Sequence, residues 1–406
     1  MMVSAQRHVS DTSPSALLEL GDQVLAPTYG RPPVLFTDGH GAWLRDSEGR
    51  EFLDMTSGIA VLALGHRSAV VAGALHEAAE QPVHVSNLYH TAPAIELARR
   101  LVELSFADSV FFANSGAEAV EGAIKFARLA AGEHRHEIVF FDGSFHGRTL
   151  GALSATDRAD YQEPFRPLPG GFVRAPWNSD DAFSVIGERT AAVLVEPIQG
   201  EMGVREADAG WLKRLRRHCD AAGALLICDE IQCGLGRSGE LWAHQAADIE
   251  PDLMTLAKPL AGGLPIGAVL MTRPVARALS PGMHGTTFGG GPLVTHVALR
   301  VLDCIADEGF LGGVRARGEW LAERLDELTR HPAVLGIRGR GLMCGVQVSP
   351  PVKDVVDAAF VRHLLVVPSA DGVVRILPPL EVATEELEAC VLRLRGALDD
   401  VMEESR

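Results

Sequence analysis

The chain has 406 residues, 47% hydrophobic and 22% charged, an ordinary globular composition with material for one large or two medium domains. Its formal charge of −16 is spread along the sequence rather than gathered in runs. Nucleic acid and anionic membranes are therefore excluded as partners, and an anionic substrate must be met by a few local arginines.

Before residue 60, GAWLRDSEGREFLD reads as a hairpin around a Ser-Glu-Gly turn, too small to stand alone and expected to pack on the C-terminal part. From about residue 60 to 290, short apolar runs alternate with amphipathic stretches, the pattern of crossover units and a mostly parallel sheet. Strands are expected at 110–113, 138–141, 191–196, 224–229, 252–257 and 267–271, buried on both faces because they are almost continuously apolar. A helix is expected at 210–222, capped by Asp208 and ended by Gly223. After Pro292 three helical stretches are interrupted by GRGLMCGVQV (339–348) and VVRILPPL (373–380), which suggests an α+β domain. The expected division is an N-terminal segment 1–60, a large domain 61–291 and a small domain 292–406. Six cysteines without CxxC or scaffold spacing fit free thiols in a reducing cytoplasm. Neither an export signal nor an apolar run of membrane-spanning length is expected.

Three segments carry chemistry. Ser115-Gly116-Ala117-Glu118 follows an apolar run and opens a helical pattern; Ser115 and Glu118 have capping-box spacing, and the free first-turn amides suit a phosphate. A plain helix cap is the competing reading. Asp229 follows five apolar residues and so ends a buried strand, where open parallel sheets bind ligands. Such a carboxylate needs a cation, a metal or several donors; Glu230 should point to the opposite face, which leaves no evident metal set. Lys258 ends the next apolar run, 29 residues on, so both can reach one sheet edge. Burial there lowers an amine's pKa and makes it a nucleophile toward an aldehyde. His134 and His136 form a pair that reads as an exposed loop rather than a chelate.

Taken in order, FFANSGAEAVEGAIKFAR, FHGRTLGALSAT, VLVEPIQGE, LLICDEIQCGLGRSG, TLAKPLAGGLPIGAV, HGTTFGG and VVRILPPL resemble the motif series of class III aminotransferases, most closely the acetylornithine and ornithine branch. The resemblance runs from about Gly30 to the C-terminal helix. It implies an α/β fold, the fold-type I of pyridoxal-phosphate-dependent transferases, with a large domain around a mostly parallel sheet and a small α+β domain. It also implies pyridoxal 5'-phosphate as cofactor. Lys258 would carry the cofactor as a Schiff base and shuttle the proton, and Asp229 would pair with the pyridinium nitrogen. Gln232 would lie beside the phenolic oxygen and Phe145 would stack on the ring. Ser115, Gly116 and Ala117 would hold the phosphate, with Thr287 donated by the neighbouring subunit of a homodimer.

The same resemblance assigns Arg148 and Arg375 to substrate carboxylates and makes Glu201 a gate that pairs with Arg375 until glutamate arrives. A permanent ion pair is the competing reading of those two residues, and Glu196 would hold the site from behind. The implied reaction moves an amino group from an ω-amine, N-acetylornithine foremost, to 2-oxoglutarate, as in arginine biosynthesis. Ornithine, succinylornithine, acyl-lysine and 4-aminobutyrate remain open as donors. Decarboxylation or amino migration on the same fold, or an inactive binding subunit, are the rival functions. Leu62, Met202, Pro259 and Gly291 depart from the usual pattern, and Leu62 and Met202 are expected to touch substrate specificity.

Overall fold

A computed structural model describes residues 13–404. Seven strands form the central sheet, in the spatial order Ser109–Ala113, Gly267–Met271, Leu253–Leu256, Leu225–Asp229, Thr190–Val195, Glu137–Phe141, Phe172–Ala175. Five of the seven form one parallel run from Leu253–Leu256 to Phe172–Ala175; Gly267–Met271 runs antiparallel to both of its neighbours. All six expected strands form. The seventh, Phe172–Ala175, carries Arg174 on a half-covered edge and lacks the continuous apolar signal of the buried strands.

Side chains along the sheet alternate between two cores. Ile138, Phe140 and Leu194 face one side with Val120, Ala123 and Ile124 of the helix Gly116–Ala131. Val139, Phe141, Val193 and Val195 face the other with Trp211, Leu212 and Leu215 of the helix Ala209–Ala222. This period-two partition makes a three-layer α/β sandwich. Asp208 accepts from the Trp211 amide and Gly223 closes the helix at φ 66°, as its sequence predicts.

The C-terminal sheet is antiparallel, in the order Val334–Arg340, Met343–Val348, Val373–Ile376, Val367–Ser369. Four helices follow Pro292 among the described residues rather than three. Only Ala306 and Asp307 separate Pro292–Ile305 from Glu308–Glu327, and Asp307 caps the second by accepting from the Phe310 amide. Pro292–Ile305 packs on the helices Ala69–Ala79 and Ala92–Glu103. The expected hairpin forms as Trp43–Asp46 and Glu51–Asp54, and the latter pairs in parallel with Leu364–Leu365. Main-chain bonding thus docks the N-terminal segment on the C-terminal part. No described helix is long and apolar enough to cross a membrane.

Candidate active site

Strand register places the first chemical groups. Asp229 lies opposite Thr255 on the adjacent parallel strand, and the Thr255 hydroxyl donates to its Oδ1 at 3.0 Å. The Ile231 amide donates to the same oxygen at 3.1 Å, and Nδ1 of His146 lies 2.6 Å from Oδ2. Asp229 and His146 are both buried, and Nε2 of His146 has no partner. His146 sits between Phe145 and Arg148, which the sequence marks, yet nothing local tells that it meets a carboxylate 83 positions on. Glu230 points to the other face, as alternation requires, where it accepts from the Ala243 and His244 amides and lies 2.6 Å from His244 Nδ1.

Lys258 opens the single turn after Leu253–Leu256, at the same edge as Asp229. It is half-buried, and among the described residues it makes no hydrogen bond or ion pair. Desolvation pushes its ammonium below the usual range, against the opposing pull of Asp229 and Glu201.

At the neighbouring helix start, Ser115 accepts from the Glu118 amide at 3.2 Å, but Glu118 turns back to the Asn114 amide and side chain rather than to Ser115. Only half of the expected capping box forms. The Gly116 and Ala117 amides stand at the first turn, where no intrahelical acceptor exists. The strand Gly267–Met271 begins against this turn. A Cβ at Gly267 would lie 2.3 Å from the Ser115 carbonyl oxygen, so only glycine allows the approach.

These elements enclose a cavity of about 460 Å³. Ten of the residues that the sequence singles out line it: Ser115, Gly116, Ala117, Phe145, Arg148, Glu196, Glu201, Asp229, Gln232 and Lys258. Arg375 stands directly behind, with Nη1 2.7 Å from Glu201 and 3.3 Å from Gln232 Oε1. A Cβ at Gly200 would fall 1.8 Å from that same oxygen, so glycine there leaves room for Gln232. Glu196 is buried at the cavity wall and accepts from the Phe145 amide at 3.0 Å. Burial, and after it the charge of Asp229, pushes the Glu196 carboxyl well above the usual range.

Thr287 does not join the group. It is exposed on a second surface hollow beside Asn87 and Tyr89. Of the departing residues, neither Leu62 nor Met202 lines the cavity of this chain; Val61 does, and Met202 packs against Gly143. Ile231 also lines the cavity and packs close to Gly116, a contact with no mark in the sequence. His134 lies in the turn and His136 just past it, between the helix Gly116–Ala131 and the strand Glu137–Phe141. No group of metal ligands occurs among the described residues.

An amine and a carboxylate on one edge of a seven-stranded, mostly parallel sheet, facing a helix start, match the architecture of the α/β fold-type I aminotransferases. The chain belongs to the class III aminotransferase family: residues 24–398 match "Aminotransferase class-III". Enzymes of that family use pyridoxal phosphate. The chain is 46% identical to the mitochondrial acetylornithine aminotransferase of Alnus glutinosa, over 98% of this chain and 94% of that protein. The crystal structure of N-acetylornithine aminotransferase from Stenotrophomonas maltophilia K279a superposes with TM-score 0.83 at 36% identity, covering 96% of this chain and 100% of that one. The ornithine aminotransferase of Toxoplasma gondii, whose structure shows partial occupancy of PLP at the active site, gives 0.91 at 32% identity, over 97% and 96%.

Proposed function

We propose that this aminotransferase moves the distal amino group of N-acetylornithine to 2-oxoglutarate, giving a semialdehyde and glutamate in two half-reactions. The convergence of Lys258, Asp229 and the Ser115 helix start on one cavity, with Glu201 against Arg375 at its side, carries the proposal. Similarity to acetylornithine aminotransferases supports the donor.

The cavity residues fit pyridoxal phosphate. Gly116 and Ala117 offer unbonded amides at a helix N-terminus for the phosphate. Asp229, fixed by Thr255, Ile231 and His146, suits a protonated ring nitrogen, and Lys258 Nζ is unpartnered. When bound, the cofactor supplies a carbon to which amines attach and a protonated ring that takes up the electron pair released at the substrate carbon.

Lys258 would anchor the cofactor and, when its amine is free, hold and return the proton of the substrate carbon; its depressed pKa makes the neutral amine accessible. With the cofactor bound, Asp229 would keep the ring proton in place, Phe145 would cover the ring face and Gln232 would lie beside the ring oxygen. Arg148 takes the donor's carboxylate. Glu201 neutralises Arg375 while the donor reacts and leaves it when the α-carboxylate of glutamate or 2-oxoglutarate arrives.

The proposal extends to a homodimer in which Thr287 reaches the neighbouring cofactor phosphate. Its support is the exposure of Thr287 beside Phe288, 67% exposed, and near Tyr89, 71% exposed. The division into a segment 1–60, a large domain 61–291 and a small domain 292–406 belongs to the same reading. So does a reducing, cytoplasmic setting, supported by six cysteines that are all free.

The test is single-turnover spectroscopy on protein purified with pyridoxal phosphate. N-acetylornithine should bleach the lysine-linked chromophore, and 2-oxoglutarate should restore it with one equivalent of glutamate. Borohydride should fix cofactor to the wild type and not to Lys258→Ala. A wild type that stays colourless, or bleaches without forming glutamate, defeats the proposal; carbon dioxide release or an isomerised amine would mark decarboxylation or amino migration instead.

A further inference from the structure

Arg148 stands exposed at the cavity and, among the described residues, makes no ion pair or hydrogen bond. All five of its N–H donors are therefore available to a ligand. A free guanidinium on a long stem samples many rotamers, and fixing one on binding weakens affinity. In this chain two ring contacts hold it, the nearer being Tyr161: Cζ of Arg148 lies 3.3 Å from the centroid of the Tyr161 ring and 5.7 Å from that of Phe145.

Tyr161 is partly buried and is itself held by its neighbours. Arg158 places its Cζ 4.3 Å from the same centroid. Two guanidinium groups that near one ring centre cannot share a face without overlapping, so the ring is sandwiched between them. Asp160 fixes Arg158 through two bonds, at 3.1 and 2.9 Å. The short helix Ala159–Gln162 is tied down by Gln162 Nε2, which donates to Leu153 O and Thr156 O at 3.1 and 2.8 Å. Phe145 meets the Tyr161 ring edge-on at 6.5 Å and 84°. Tyr161 does not line the cavity; it acts on what does.

We propose that Tyr161, clamped from behind by the Arg158–Asp160 pair, is the positioning residue that pre-orients Arg148 toward a substrate carboxylate, so that donors bearing one are selected over the same amines without it. This rests on the donor reading above. An aromatic face orients a planar cation and leaves its donor edge free, which a carboxylate partner would consume.

The test compares kcat/KM of the holoenzyme for N-acetylornithine and for its decarboxylated counterpart, N-acetylputrescine. It also measures calorimetric binding of N-acetylnorvaline, the donor without its reacting amine. Tyr161→Phe keeps the ring and should keep the wild-type ratio. Tyr161→Leu should lower the ratio about fivefold and weaken N-acetylnorvaline about as much, leaving N-acetylputrescine turnover and the cofactor spectrum unchanged. Arg158→Gln, at a partly exposed side chain, frees one ring face and should lower the ratio about twofold, which keeps the test alive should Tyr161→Leu fail to fold. Equal losses for both donors, or a wild-type ratio in Tyr161→Leu and Arg158→Gln, overturn the proposal. A wild type that does not distinguish the two donors overturns the donor reading and this proposal with it; an altered ratio in the variants supports it.

Discussion

Replacing Glu201 by alanine isolates the gate. Only 1% of the Arg375 side chain is exposed, against 22% for Glu201, and their atoms lie 2.7 Å apart. Without Glu201 the guanidinium keeps a 3.3 Å bond to Gln232 Oε1 and a 3.5 Å bond to Pro368 O, so it stays in place with its charge uncompensated. Removing one partner of a buried pair costs about 3–5 kcal/mol; halving this for water reaching the Glu201 side leaves about 1.5–2.5 kcal/mol. An incoming carboxylate no longer has to displace Glu201, so glutamate and 2-oxoglutarate should react from roughly ten- to nearly a hundredfold lower concentration. The N-acetylornithine half-reaction should gain nothing. Arg375→Ala should do the converse, crippling the 2-oxoglutarate half-reaction and largely sparing the amine half-reaction. Stopped-flow single turnovers with each substrate separately provide the measurement. A glutamate half-reaction unchanged within twofold in Glu201→Ala would refute the gate and leave a permanent structural pair.

Two further outcomes follow from the cavity wall. Glu196→Gln should fold and retain the Phe145 contact, since its amide oxygen still accepts. The raised carboxyl binds its proton more tightly in the folded chain than in the unfolded one, so its contribution is fully present below the unfolded value of about 4.3 and is lost as pH rises through the folded value. Denaturant titrations from pH 5 upward should therefore show a shallower loss of stability in Glu196→Gln, and parallel curves would contradict the assignment. His146→Ala removes a buried 2.6 Å partner from Asp229, and at about 1.5–3 kcal/mol for a hydrogen bond to a charged group the cofactor should bind about 10- to 150-fold more weakly. An unaltered dissociation constant in absorbance titration would show that Thr255 and Ile231 suffice to orient the carboxylate.

Much of this was legible along the chain, because local pattern reports local burial. Five apolar residues before Asp229, and the run before Lys258, predict strands ending in polar groups, and strands at 224–229 and 252–257 differ from the observed ones by a residue at the ends. Ser115 reads as a helix cap and caps; its partner Glu118 chose Asn114, since the choice between nearby amides depends on side-chain geometry that spacing does not encode. The Phe172–Ala175 edge strand escaped because half-covered strands carry polar residues and lose the apolar signal.

The sequence by itself determined the family, six of the seven sheet strands and ten of the residues that line one cavity, since each is set by residue type, order and short-range periodicity. Only the tertiary structure decided that His146 backs Asp229 and that the Tyr161 ring lies against Arg148. Those pairings join groups from separate elements, and their partners are chosen by strand register and loop packing, which depend on the whole chain folding at once.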